Sequence, residues 1–180
     1  MAQIFRVDFS LSSRRFELLD VYNAKSWRPA GKFFSVQLDK RVAISRFKII
    51  LDCVLGESAS FAVRFCDVAE MQEMNRRFRG KNKPTDVLSF CRSANLPFEE
   101  VRELGDILIC LPVCLVQAKR ARISLSEEVE RMVIHGLTHL LGYDHERSEM
   151  AWKIQEAVEK NLRKEISRRL GKPTWCEVRK

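Results

Sequence analysis

All three histidines of this chain fall inside HGLTHLLGYDH, residues 135–145, and the segment that carries them repeats its apolar residues at helical period. Val129, Met132, Val133, Gly136, Leu137, Leu140 and Leu141 form one stripe at about 100° per residue, so this stretch packs as a helix with a buried face. His135 and His139 lie beside the stripe, one turn apart. Their imidazoles project from the same side of a rigid support and can converge on one ion. Gly142 ends the helix and permits a reversal that brings His145 back as a third ligand. Upstream, Ser124 and Glu127 have the spacing of a capping box that starts the helix.

Three neutral imidazoles hold zinc at about 2.0 to 2.1 Å and leave a fourth position for water, the arrangement of a catalytic site and not of a closed structural one. The competing reading is three unrelated boundary histidines. A third histidine just past a glycine turn, with none elsewhere in the chain, weighs against it. The spacing does not supply a base, because Gly136 stands where the peptidase pattern HExxH has a water-activating glutamate. Asp144, Asp106 and Glu146 are candidates by proximity alone.

Around this helix the periods alternate. FFSVQL (33–38), ASFAVRFC (59–66), TDVLSF (85–90) and GDILIC (105–110) read as strands. RVAISRFKIILDCVL places Val42, Phe47, Ile50, Leu51 and Val54 at helical spacing, with Gly56 as its stop. A short helix follows Asp67 as N-cap, with Val68, Met71, Met74, Asn75 and Phe78 on one face before Gly80. PVCLVQAKRA is helical with Pro112 in its first turn, and ERSEMAWKIQEAVEKNLRKEISRRL is one long amphipathic helix. The 180 residues, 46% hydrophobic and 31% charged, fit a single domain at 33–170, with an N-terminal extension at 1–32 and a basic tail at 171–180.

Charge narrows the partners. The excess of 32 Lys+Arg over 24 Asp+Glu, net +8, favours polyanions, above all nucleic acid. Arg76, Arg77, Arg79, Lys81 and Lys83 concentrate that charge next to Gly80 and Pro84, where a helix end and loop approach a phosphate backbone. The bland alternative is a solvated helix end. Thr85 and Asp86 fit a turn or a strand start better than a ligand set. The six cysteines are scattered through apolar runs, form no CxxC and read as reduced core residues. Neither a secretory h-region nor an apolar run long enough to span a membrane occurs, so the cytoplasm is expected.

NRRFRGKNKPTDVLSF at 75–90, LGDILIC at 104–110 and HGLTHLLGYDH occur in an order that closely resembles the YbeY family of rRNA maturation factors, described as metal-dependent endoribonucleases. The resemblance runs from about residue 59 to 160, and less closely from 33. It implies an α/β (α+β) fold: a small mixed sheet of roughly four strands flanked by helices, with zinc in a cleft at a helix C-terminal end. Carried over by position, it implies that His135, His139 and His145 hold one zinc ion (Zn2+) per chain, and that Arg79 of the FRGK segment joins them in catalysis. It further implies a single-strand-specific endoribonuclease, a hydrolase of phosphodiester bonds. Such an enzyme acts on rRNA precursors in ribosomal particles, at the 16S rRNA 3′ end and in ribosome quality control, alongside ribosome-associated proteins. Two departures, Cys91 where the family usually has proline and a longer N-terminal segment, bear on loop shape and on the start of the chain. Two other functions remain open: a zinc-dependent peptidase, and a non-catalytic zinc-containing RNA-binding factor on the ribosome.

Overall fold

The structure is a computed structural model that describes residues 5–11, 15–19, 29–55, 58–92, 102–144 and 148–179. The chain runs through β1 (Phe5–Leu11), β2 (Arg15–Leu19), β3 (Pro29–Leu38), α1 (Lys40–Leu55), β4 (Ala59–Cys66) and α2 (Val68–Arg79). It continues through β5 (Val87–Cys91), β6 (Arg102–Cys110), α3 (Leu111–Ala121), α4 (Leu125–Leu140), α5 (Glu149–Leu170) and β7 (Cys176–Arg179). Among the described residues the strands form two sheets. The larger is mixed, in the order β1-β4-β6-β5, with β1, β4 and β6 parallel and β5 antiparallel at the edge.

Both faces of the larger sheet are covered, as its apolar runs require. On one side Phe61, Val63 and Phe65 of β4 and Ile107 and Ile109 of β6 pack with Phe47, Ile50 and Leu51 of α1 and Val129, Val133 and Leu137 of α4. On the other, Cys66, Leu88, Leu108 and Cys110 pack with Met71 of α2 and Val113 and Val116 of α3. Each such side chain, fully buried, contributes about 1.5–3 kcal/mol. The periodicity of α1 needs one correction. Val42 is 41% exposed, while Arg46, off the apolar stripe, is buried. Its guanidinium pairs with Glu130 of α4 through both carboxylate oxygens, and donates to the carbonyls of Leu170 and Gly171 at 3.0 Å each. The last carbonyls of α5 thus receive donors they would otherwise lack.

The second sheet, β2-β3-β7, is antiparallel and has no counterpart in the expected four-stranded arrangement. It draws on segments with weak sequence signals. β3 starts at Pro29, four residues before the FFSVQL run, and β1 and β2 fall within the segment read as an extension. The segment read as a basic tail also enters the fold. Trp175 is buried, edge-on to Phe47 with centroids 5.5 Å apart and stacked on Phe65 at 6.4 Å, and its indole N–H donates to Glu130 at 3.3 Å. β7 then pairs with β3 from Cys176 to Arg179. One large aromatic with a partner for its N–H outweighs the charges around it, which stay in solvent. Gly56, expected to stop α1, lies outside the described residues.

The six cysteines are free: Cys66, Cys110, Cys114 and Cys176 are buried, Cys53 is half-buried and Cys91 is exposed. Burial pushes the Cys176 thiol up to about 12, which keeps it protonated and inert. No described helix is long and apolar enough to cross a membrane.

Candidate active site

The capping box sets the phase of α4. Ser124 Oγ accepts from the Glu127 N–H and the Glu127 carboxylate accepts from the Ser124 N–H, both at 3.1 Å. From that start the buried stripe falls on Val129, Val133, Leu137 and Leu140. Gly136 lies against the sheet: a Cβ there would meet Ile107 Cγ2 at 2.8 Å and Ser89 Oγ at 3.1 Å. This close approach brings α4 onto β5 and β6 and places His135 and His139 at the sheet edge. Leu141 caps the helix, and Gly142, at φ 90°, adopts a conformation that favours glycine, turning the chain toward Tyr143 and Asp144.

The two imidazoles converge. Their Nε2 atoms are 3.2 Å apart and their rings meet edge to face with centroids 4.6 Å apart. Two nitrogens bound tetrahedrally to zinc at about 2.0–2.1 Å are separated by about 3.3 Å, so the pair fits two ligand positions of one ion. Behind His135, Nδ1 donates to Oε1 of Glu159 on α5 at 2.8 Å. That bond leaves the Nε2 lone pair for the cleft, the usual device for orienting a ligating histidine. Glu159 is itself held by the amide of Gln155 at 3.0 Å and by Arg163 at 3.3 Å. Thr138 donates its hydroxyl to the His135 carbonyl at 2.8 Å and accepts from Gln155 at 3.1 Å. Burial, the largest single influence on the Glu159 carboxyl, pushes its pKa up. The hydrogen bonds from His135 and Gln155 and the charge of Arg163 outweigh it, and the net shift is downward.

Cations share the cleft with the histidines. Arg79, Lys81 and Lys83 share with His135 and His139 a cleft of about 660 Å³, lined also by Val87, Ser89 and Cys91 of β5, the edge strand among the described residues. The loop that carries the lysines is tied back to α2. Gly80 caps the helix, the Lys81 N–H donates to the Asn75 carbonyl at 3.3 Å, and the buried Asn75 amide donates to the Lys83 carbonyl at 2.6 Å. Asp86 finishes the loop, its carboxylate accepting from the Val87 N–H at 2.9 Å, Thr85 at 2.9 Å and Gln117 at 2.8 Å.

A family model described as Endoribonuclease YbeY matches residues 36–166. Proteins named Endoribonuclease YbeY are similar in sequence. That of Persephonella marina is 40% identical over 123 residues, covering 66% of this chain and 80% of its own. That of Pseudoalteromonas translucida is 35% identical over 139 residues, covering 77% and 84%. The chain belongs to the YbeY family.

The YbeY match takes in α4, the Arg79 loop and the part of α5 with Glu159. Of the ligands expected from the sequence, His135 and His139 come together, while His145 lies outside the described residues. Among the described residues no group of three His, Cys, Asp or Glu side chains is arranged to hold a metal. Of the expected RNA-binding cations, Arg79, Lys81 and Lys83 line the cleft. Arg76 and Arg77 do not: Arg76 pairs with Glu73 at 2.6 Å, and the Arg77 guanidinium lies over the Phe78 ring. The candidate bases separate. Asp144 lines the histidine cleft, Asp106 lines a different cavity with Arg92 and Glu103, and Glu146 lies outside the described residues. Glu159, Gln155, Thr138 and Arg163 were not anticipated. Their one signal in the sequence is the polar series Gln155, Glu159, Arg163 at i, i+4, i+8 on α5, which marks a shared face but not what it faces.

Proposed function

We propose that this YbeY chain is a zinc-dependent, single-strand-specific endoribonuclease. Its substrates are rRNA precursors in ribosomal particles, with the 16S rRNA 3′ end as the processing site, and it serves ribosome quality control in the cytoplasm beside ribosome-associated proteins. One observation carries the reading: two imidazoles whose Nε2 atoms lie 3.2 Å apart share one cleft with Arg79, Lys81 and Lys83.

In this reading His135, His139 and His145 would hold the ion. Zinc supplies a polarised water and a Lewis acid for the phosphoryl oxygen. Glu159 keeps His135 in the tautomer that presents Nε2 to the cleft, and Arg79 binds the non-bridging oxygens of the scissile phosphodiester as negative charge grows on them. Lys81 and Lys83, fixed by Asn75, bind neighbouring phosphates and set the register of the strand. Asp144 and Asp86 are the described carboxylates that line the cleft, and Asp144 would be the candidate base there.

The peptidase reading gains one observation: among the described residues β5 is an edge strand beside the histidine helix, which is where an extended peptide adds as a strand. It loses on Gly136. A Cβ at the position that would carry the peptidase glutamate already crowds Ile107 at 2.8 Å, and the cleft carries Arg79, Lys81 and Lys83. The deciding experiment is cleavage of a defined rRNA precursor by purified protein with and without chelator, alongside His139→Ala. Cleavage that is abolished by chelator, restored by zinc and absent in His139→Ala is expected. Cleavage indifferent to both would overturn the assignment.

A further inference from the structure

Phe78 and Phe90 form an aromatic pair between the end of α2 and the α2 face of β5 that no step above employs. The spacing of α2 assigned Phe78 to the inward face, yet it is 52% exposed, while Met71 and Asn75 are buried. Its ring meets Phe90 edge to face, with centroids 5.0 Å apart at 73°, and the guanidinium carbon of Arg77 lies 5.3 Å from its centroid. Phe78 precedes Arg79, which lines the cleft, while Phe90 points to the opposite face of β5 from Ser89 and packs on the cluster of Met71, Leu88 and Leu108.

A large exposed ring forgoes the stabilisation that burial provides, so a partner of matching chemistry is the natural account of it. Buttressing by Phe90 holds the ring at little entropic cost, and the planar guanidinium above it extends a flat surface. Phe78 sits among the arginines at the end of α2, with Arg77 over its ring and Arg79 next in the chain, which suits a phosphate beside the ring, while Glu103 and Asp106 lie on the Phe90 side. We propose that Phe78, backed by Phe90 and flanked by Arg77, is a stacking platform for one unpaired base of the RNA strand whose backbone lies in the cleft. The inference rests on the endoribonuclease reading and deepens it. A base reaches such a ring only when it is free of a duplex, so the platform selects single strands, and because every base has a π-face the selection tolerates sequence. A protein partner would also favour an aromatic beside arginines, but the cations of the cleft that Arg79 lines point to a polyanion.

The test compares wild type, Phe78→Ala and Phe78→Trp in the full chain. The probes are a labelled oligoadenylate of about twelve nucleotides, within the usual site sizes for single strands, and inorganic polyphosphate of similar length. Loss of one stacked base should weaken oligoadenylate binding of Phe78→Ala roughly five- to hundred-fold. The salt slope should hold, since no phosphate contact is removed, and polyphosphate affinity should not change. Phe78→Trp should bind at least as tightly as wild type, with its added indole fluorescence quenched by the oligonucleotide. Wild-type oligoadenylate affinity in Phe78→Ala overturns the platform and leaves the endoribonuclease reading standing. Equal losses for oligoadenylate and polyphosphate overturn it too, because the ring would then merely support the cationic loop. A wild-type protein that neither binds nor cleaves any single strand removes the platform together with the reading beneath it.

Discussion

Glu159 accepts a 2.8 Å hydrogen bond from Nδ1 of His135, across 24 residues of sequence and from a different helix. The bond joins α5 to the site and decides which nitrogen of His135 faces the cleft. Removing such a partner of a ligating histidine typically lowers metal affinity about 10- to 100-fold. Glu159→Ala is therefore expected to weaken zinc binding by that order, measured by titration against a competing chelator. Glu159→Gln, which keeps an oxygen acceptor, should lose less. Unchanged zinc affinity in Glu159→Ala would show that the pair serves packing alone.

Arg79 is assigned to phosphate and not to metal. Arg79→Ala should lose RNA cleavage while retaining wild-type zinc content, and the salt slope of RNA binding should fall by about 0.7–0.9, the share of one phosphate contact. An Arg79→Ala protein that arrives depleted of zinc or unfolded would assign the arginine to structure.

Gly136 makes the restoration of HExxH a test of packing before it is a test of chemistry. A Cβ at this position meets Ile107 Cγ2 at 2.8 Å and Cδ1 at 3.0 Å. Gly136→Ala should cost about 1–3 kcal/mol in denaturant unfolding, as overpacking does, and Gly136→Glu more, with a carboxylate forced against the sheet. No peptide hydrolysis is expected from either. A Gly136→Glu protein of wild-type stability that cleaves casein would reopen the peptidase reading.

Arg46 and Glu130 join α1, α4, the end of α5 and the Trp175 indole in one buried cluster. Breaking a buried pair from one side strands the other charge, at about 3–5 kcal/mol. Arg46→Ala and Glu130→Ala should each lose stability of that order. The double variant should lose much less than their sum, because it leaves no unpaired charge. Additive losses in the cycle would mean that the two side chains act independently.

Much of the fold was legible locally. β4 forms over the residues its apolar run indicated, Asp67 caps α2, and the Ser124–Glu127 box starts α4. The i, i+4 spacing of His135 and His139 was enough to put both rings on one side of a helix, since 3.6 residues per turn settles that before any tertiary contact exists. Arg79, Lys81 and Lys83 were visible as a cationic segment for the same reason: charge density along a chain is a local property.

The rest was decided by packing between distant segments. Nothing local distinguishes Glu159 from the other glutamates of α5, because its role comes from lying against α4. The sequence likewise presents Trp175 as part of a basic tail, and only the space left between Phe47, Phe65 and Glu130 makes it core. Phe78 moved the opposite way, out of the apolar face that its spacing assigned to it. Periodicity states which side chains share a face. Whether that face meets a partner, and which one, depends on contacts closed across 24, 45 or 84 residues of intervening chain, whose ordering cost only the assembled fold repays.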